Sequence, residues 1–69
     1  MNKSVARVIE ISAVSDVSFE DAVRTGVTRA NRTLRNVTSA WVKEQRVEIT
    51  DGSISRYQVN MLVTFILDD

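Results

Sequence analysis

Sixty-nine residues without cysteine or histidine leave no ligands for a Cys/His zinc site, no Ser-His-Asp triad and no disulfide framework. Nine basic residues balance nine acidic ones, so no net field draws the chain to nucleic acid or an anionic membrane. No apolar run approaches the ~20 residues of a membrane span, and Met1-Asn2-Lys3-Ser4 leads into charged sequence rather than an apolar signal core. These features predict a soluble, cytoplasmic, single-domain protein over residues 1–69.

Val5 to Ile11 is β-branched and partly alternating, which predicts a first strand. Ser15-Asp16-Val17-Ser18 is read as a polar connection, with Ser18 and Asp21 spaced as a capping box that carries Asp in place of Glu. Phe19, Ala22, Val23, Gly26, Val27, Ala30, Leu34 and Val37 recur every three or four residues, the stripe of an amphipathic helix over about Phe19 to Arg35. Glu20 and Asp21 in its first turn, and Arg32 and Arg35 in its last, suit the helix dipole. Gly26, inside the helix, marks a close approach of its backbone to the sheet.

Asn36 is expected to end the helix. Thr38 to Thr50 is rich in strand formers, and Asp51-Gly52 is the two-residue signal of a type I′ hairpin turn. Ser53 to Leu67 follows as a third strand, apolar at odd positions from Tyr57 to Leu67 and mostly polar at even ones, with Leu62 and Ile66 as exceptions. In the second strand Glu44, Arg46 and Glu48 share the parity of Ala40 and Val42, so either this strand outruns the helix or a bulge exchanges its faces. The fold class is α+β: β-α-β-β, one helix on a three-stranded antiparallel sheet.

One helix covers one face of such a sheet. A chain of about 60 residues buries only about 60% of its unfolded surface. With no disulfide or obvious metal ligands, self-assembly is the expected source of further burial, and Trp41, Leu62 and Ile66 are its candidates on the uncovered face.

In its order of elements and spacing the chain resembles the dodecin family over nearly its whole length. The resemblance is carried by Arg7-Val8-Ile9-Glu10-Ile11, the helix segment Ser18 to Arg35, the Asp51-Gly52 turn, and the run from Tyr57-Gln58-Val59 to Val63-Thr64-Phe65-Ile66-Leu67. It implies a hollow homododecamer that binds or stores a flavin (FMN or a riboflavin-type ring) and is not an enzyme. It also implies a site near a two-fold axis, where a Trp of the second strand stacks on the ring and a Gln of the third hydrogen-bonds its edge. Position by position, Gln58 matches the Gln and Arg46 an Arg able to approach a phosphate, whereas the stacking position holds Ser39. Trp41 lies two residues on, with the same strand parity but about 6–7 Å along the strand.

Other readings stand beside these. Trp41 either stacks on a relocated ring or fills a contact between subunits. Gln58 either recognises a ligand or is an ordinary outer-face residue. A non-flavin dodecin, structural or calcium-binding with Trp41 filling the flavin pocket, is the alternative function. Asp16, Glu20 and Asp21 are the calcium candidates, against a helix-capping role. Arg24, Arg29, Arg32 and Arg35 form a basic helix face, read as solvated rather than nucleic-acid-binding because the net charge is zero. Asp68-Asp69 is read as a solubilising end, or as carboxylates that gather an ion where copies meet.

Overall fold

The computed structural model describes residues 4–67; the expectations placed on Met1–Lys3 and on Asp68-Asp69 lie outside them. Four elements follow in chain order: β1 (Ala6–Ser15), α1 (Phe19–Thr33), β2 (Val37–Thr50) and β3 (Ser53–Ile66). The sheet is antiparallel with order β1-β3-β2, so the last strand lies in the centre.

β1 runs four residues past the expected end at Ile11. Ser12 to Ser15 continue the ladder opposite Asn60 to Tyr57, with Ala13 and Ser15 buried. Ser15 is therefore the buried end of a strand rather than part of a connection. Its hydroxyl donates to Asp21 Oδ2 at 2.7 Å and accepts from the Val17 backbone N–H at 2.9 Å. Ser18 caps the helix as expected, accepting from the Asp21 N–H at 3.0 Å. The reciprocal arm of the box is made through Ser15, which stands between the short Asp21 carboxylate and the turn.

α1 ends at Thr33, two residues before the expected Arg35. Leu34 is already extended (φ −109°, ψ 139°) and closes the helix with its N–H on the Ala30 carbonyl. Asn36 reverses the chain with φ 62°, a conformation Asn tolerates better than most residues. Arg32, and not Arg35, is thus the basic residue of the last turn. Val37 belongs to β2, opposite Phe65, rather than to the helix stripe. The hairpin turn is as expected, with positive φ at both Asp51 (52°) and Gly52 (80°).

The core lies where α1 crosses the inner face of the sheet. Val59, Met61 and Val63, alternate residues of β3, are fully buried, and Ala13 and Ala22 pack with Val59 and Met61, with Ile11, Phe19 and Val23 alongside. Each large side chain buried here contributes about 1.5–3 kcal/mol. Gly26 lies so close to the sheet that a Cβ there would collide with the Met61 methyl and approach Ala13 Cβ to 3.2 Å. The helix N-terminus is held by an edge-to-face contact of Phe19 on Tyr57, centroids 5.1 Å apart.

A bulge decides the register of β2. Pairing passes from Val42↔Met61 to Glu44↔Asn60, leaving Lys43 as the extra residue. Ser39 and Trp41 before the bulge, and Glu44, Arg46 and Glu48 after it, thereby share the outer face with the even residues of β3. The parity conflict in the sequence is this exchange of faces.

Little of the chain is enclosed. It extends 54 Å and exposes 5225 Å². A compact monomer of its 7.8 kDa mass exposes roughly 4,400 Å², about 800 Å² less. That difference is about one partner's share of a standard protein interface.

Candidate functional site

The outer face of the sheet, away from α1, gathers the residues singled out from the sequence. At its centre is Gln58, with Val14 of β1 on one side and Arg46 of β2 on the other. Both ends of its amide are engaged. The Nε2 donates to Ser12 Oγ at 2.8 Å and, more weakly, to Asn60 Oδ1 at 3.4 Å, while Oε1 accepts from Arg46 Nε at 3.0 Å. Asn60 in turn donates to Glu44 Oε1 at 3.0 Å. These bonds orient the amide and the guanidinium around one open cleft of about 140 Å³, lined by Glu44, Gln45, Arg46, Gln58 and Asn60. The sequence showed Gln58 and Arg46 but not their partners. Ser12 was placed beyond the end of the first strand, and Glu44 and Asn60 acquire a common face only through the Lys43 bulge.

Trp41 and Ser39 lie on the same face but farther along it, opposite Leu62 and Thr64. No register shift separates them, so their expected common orientation and the 6–7 Å step between them stand. Trp41 is 48% exposed, with room for one more surface against its indole. Its partner Leu62 lies four positions along β3 from Gln58, roughly 13 Å along the strand. Aromatic stacking acts at centroid separations of about 4.5–7 Å. A single chain therefore does not place its own Trp41 and its own Gln58 on one small ring. Lys43 reaches across β3 to Glu10, the residue opposite Leu62 on the other side, in a half-exposed ion pair of 3.2 Å.

Several of the remaining charged candidates are engaged along the helix itself. Glu20 and Asp21 flank Arg24, at 3.1 and 4.0 Å, and Arg29 donates to Thr33 Oγ1 at 3.4 Å. Among the described residues no three Asp, Glu, His or Cys side chains converge as metal ligands. Asp21 caps the start of α1 through Ser15, and Glu20 pairs with Arg24 one turn on. Among the same residues no helix is long and apolar enough to cross a membrane.

A family model for dodecin matches residues 5–68 of this chain. The chain belongs to the dodecin family. The dodecin of Thermus thermophilus is 32% identical over 65 residues, which are 94% of either chain. Among solved structures, dodecin from Streptomyces davaonensis is 37% identical and superposes with a TM-score of 0.93, covering 99% of this chain and all of that one. The calcium dodecin of Mycobacterium tuberculosis, whose structure shows a novel calcium-binding site, is 32% identical with a TM-score of 0.81, covering 94% of this chain and 93% of that one. Dodecins are small binding and storage proteins rather than enzymes, and the β-α-β-β arrangement found here is theirs.

Proposed function

We propose that this dodecin is one tile of a homododecameric shell that binds a flavin on the outer face of its sheet, as a storage protein without turnover. The observation that carries the reading is the Arg46–Gln58 pair, bonded at 3.0 Å over a shared open cleft. Gln58 has an amide donor and acceptor suited to the edge of a flavin ring. Arg46 keeps guanidinium N–H groups beyond the one given to Gln58, and these suit a phosphate. Trp41 supplies the stacking surface. Because Trp41 and Gln58 of one chain are roughly 13 Å apart, the ring lies where two copies meet, with each copy contributing one of the two. The residues fit a flavin on that condition. The uncovered surface of about 800 Å² supports assembly independently.

A second reading rests on Ser39. Flavin-binding dodecins carry their stacking Trp at this position, and a serine offers no π-surface. In that reading Trp41 fills the pocket between copies and the shell is structural or, like the Mycobacterium tuberculosis relative, binds calcium. Titrating riboflavin and FMN with the protein while following flavin fluorescence separates the two. The flavin reading predicts quenching that saturates at micromolar protein. Unquenched fluorescence at that concentration contradicts it and favours the second reading.

A further inference from the structure

The side chains around Gln58 fix which end of its amide faces which strand. Arg46 Nε has only an N–H to give, so the atom it meets at 3.0 Å is the amide oxygen, Oε1. The amide nitrogen is thereby turned away from β2 and towards β1. Directly opposite Gln58 on β1 stands Val14, whose side chain offers no hydrogen-bonding group. The partner comes from the diagonal neighbour instead. Ser12 Oγ accepts from Gln58 Nε2 at 2.8 Å, the shortest bond of this network.

Asn60 is ordered in the opposite sense. The Glu44 carboxylate accepts, so Asn60 meets it with Nδ2 at 3.0 Å and turns Oδ1 towards Gln58 Nε2 at 3.4 Å. Two charged residues of β2, one donating and one accepting, thus orient two amides of β3. Gln58 Nε2, with two N–H groups, faces two protein acceptors, Ser12 closely and Asn60 loosely. Among the described residues Oε1 serves one donor, which leaves it a second lone pair beside the cleft.

We infer that Ser12 is a positioning residue of this site: by holding Gln58 Nε2 on the β1 side it leaves the amide oxygen as the group offered to a ligand, and so selects a ring with an N–H on its edge. This deepens the flavin reading and rests on it. A flavin ring carries one such group, the imide N–H between its two carbonyls, and the neighbouring edge atoms are acceptors. A carbonyl presented to Oε1 in its place sets two acceptors against each other with no proton between them. In this role Ser12 acts through Gln58 rather than on the ring. Without its hydroxyl, Nε2 keeps only the 3.4 Å bond to Asn60, and the cost of ordering the amide falls on binding.

Ser12 is exposed, so Ser12→Ala takes nothing from the core. Fluorescence quenching gives Kd for riboflavin and for riboflavin methylated at the imide nitrogen, on wild type, Ser12→Ala and Ser12→Thr. Wild type is expected to bind riboflavin at least about tenfold more tightly than the methylated ring. Ser12→Ala is expected to weaken riboflavin by about three- to tenfold, the worth of one neutral hydrogen bond, and to move the methylated ring by less than about twofold. Ser12→Thr keeps the hydroxyl and is expected to stay within about twofold of wild type. A merely structural loss weakens both ligands by the same factor. That result, an unchanged riboflavin Kd in Ser12→Ala, or a Thr variant as weak as the Ala variant overturns the role of Ser12 while leaving flavin binding in place. Equal binding of the two ligands by wild type overturns the selection for an N–H. Wild type that quenches neither ligand contradicts the flavin reading itself, and this inference with it.

Discussion

Replacing Trp41 by alanine separates the two roles open to its indole. Trp side chains bury about 150–250 Å², and Trp41 is 48% exposed in the chain, so a ring laid on it removes about 100 Å² of further surface from water. At about 25 cal/mol per Å² that is roughly 2.5 kcal/mol. A well-arranged aromatic pair adds about 0.5–1.5 kcal/mol. Loss of about 3–4 kcal/mol weakens binding by two to three orders of magnitude. The assay is flavin-fluorescence quenching on wild type and Trp41→Ala, with the mass of each followed by light scattering. Stacking predicts a rise in Kd of at least about a hundredfold with the mass unchanged. A Kd within twofold of wild type refutes the stacking role, and a fall in mass instead assigns Trp41 to a subunit contact. Moving the indole back, with Ser39→Trp/Trp41→Glu, shifts the platform 6–7 Å along the same face and restores or strengthens binding.

Further consequences follow from the same geometry. Arg46→Ala is expected to weaken FMN by about 10–100-fold, the worth of a charge-assisted contact, and riboflavin by only a few-fold; equal losses for both ligands would deny Arg46 its phosphate. Gly26→Ala gains about 1 kcal/mol of helix propensity but drives a methyl into Met61 and Ala13, so a net loss of about 1–2 kcal/mol is expected in urea unfolding at fixed protein concentration. A stabilised Gly26→Ala chain would show that the helix has room to lift. Ser15→Ala removes the hydroxyl that joins Asp21 to the turn and is expected to cost about 1–2 kcal/mol, whereas an unchanged midpoint would reduce that link to ornament.

The order of elements, the hairpin turn and the buried face of β3 were legible in the sequence because each rests on local chemistry. Asp51-Gly52 supplies two residues that tolerate positive φ, and Val59, Met61 and Val63 recur with the period of a strand. The helix stripe was legible too, but its end was not. Leu34 and Val37 keep the helical spacing, yet Val37 gains more as the partner of Phe65 in the sheet, and Asn36 makes the reversal. Ser12 to Ser15 form too short a stretch beside the polar Asp16–Ser18 segment to mark a strand by themselves. Only the facing residues of β3 make them a strand.

The site was half legible. Gln58 and Arg46 could be named from their matches in the family, but their contact depends on the extra residue at Lys43, which brings Arg46 to the face of Gln58. A bulge leaves only a change of parity in the sequence, and that change has two readings until the partner strand is known. The network through Ser12, Asn60 and Glu44 depends on both the bulge and the full length of β1. Periodicity within single segments carries neither.

The most direct test of a flavin-storing shell is gel filtration of the protein mixed with FMN, following light scattering and flavin absorbance together. The account predicts a single peak of about 94 kDa that carries the flavin absorbance. A peak near the 7.8 kDa of one chain, or a shell that elutes colourless while the flavin runs free, contradicts it.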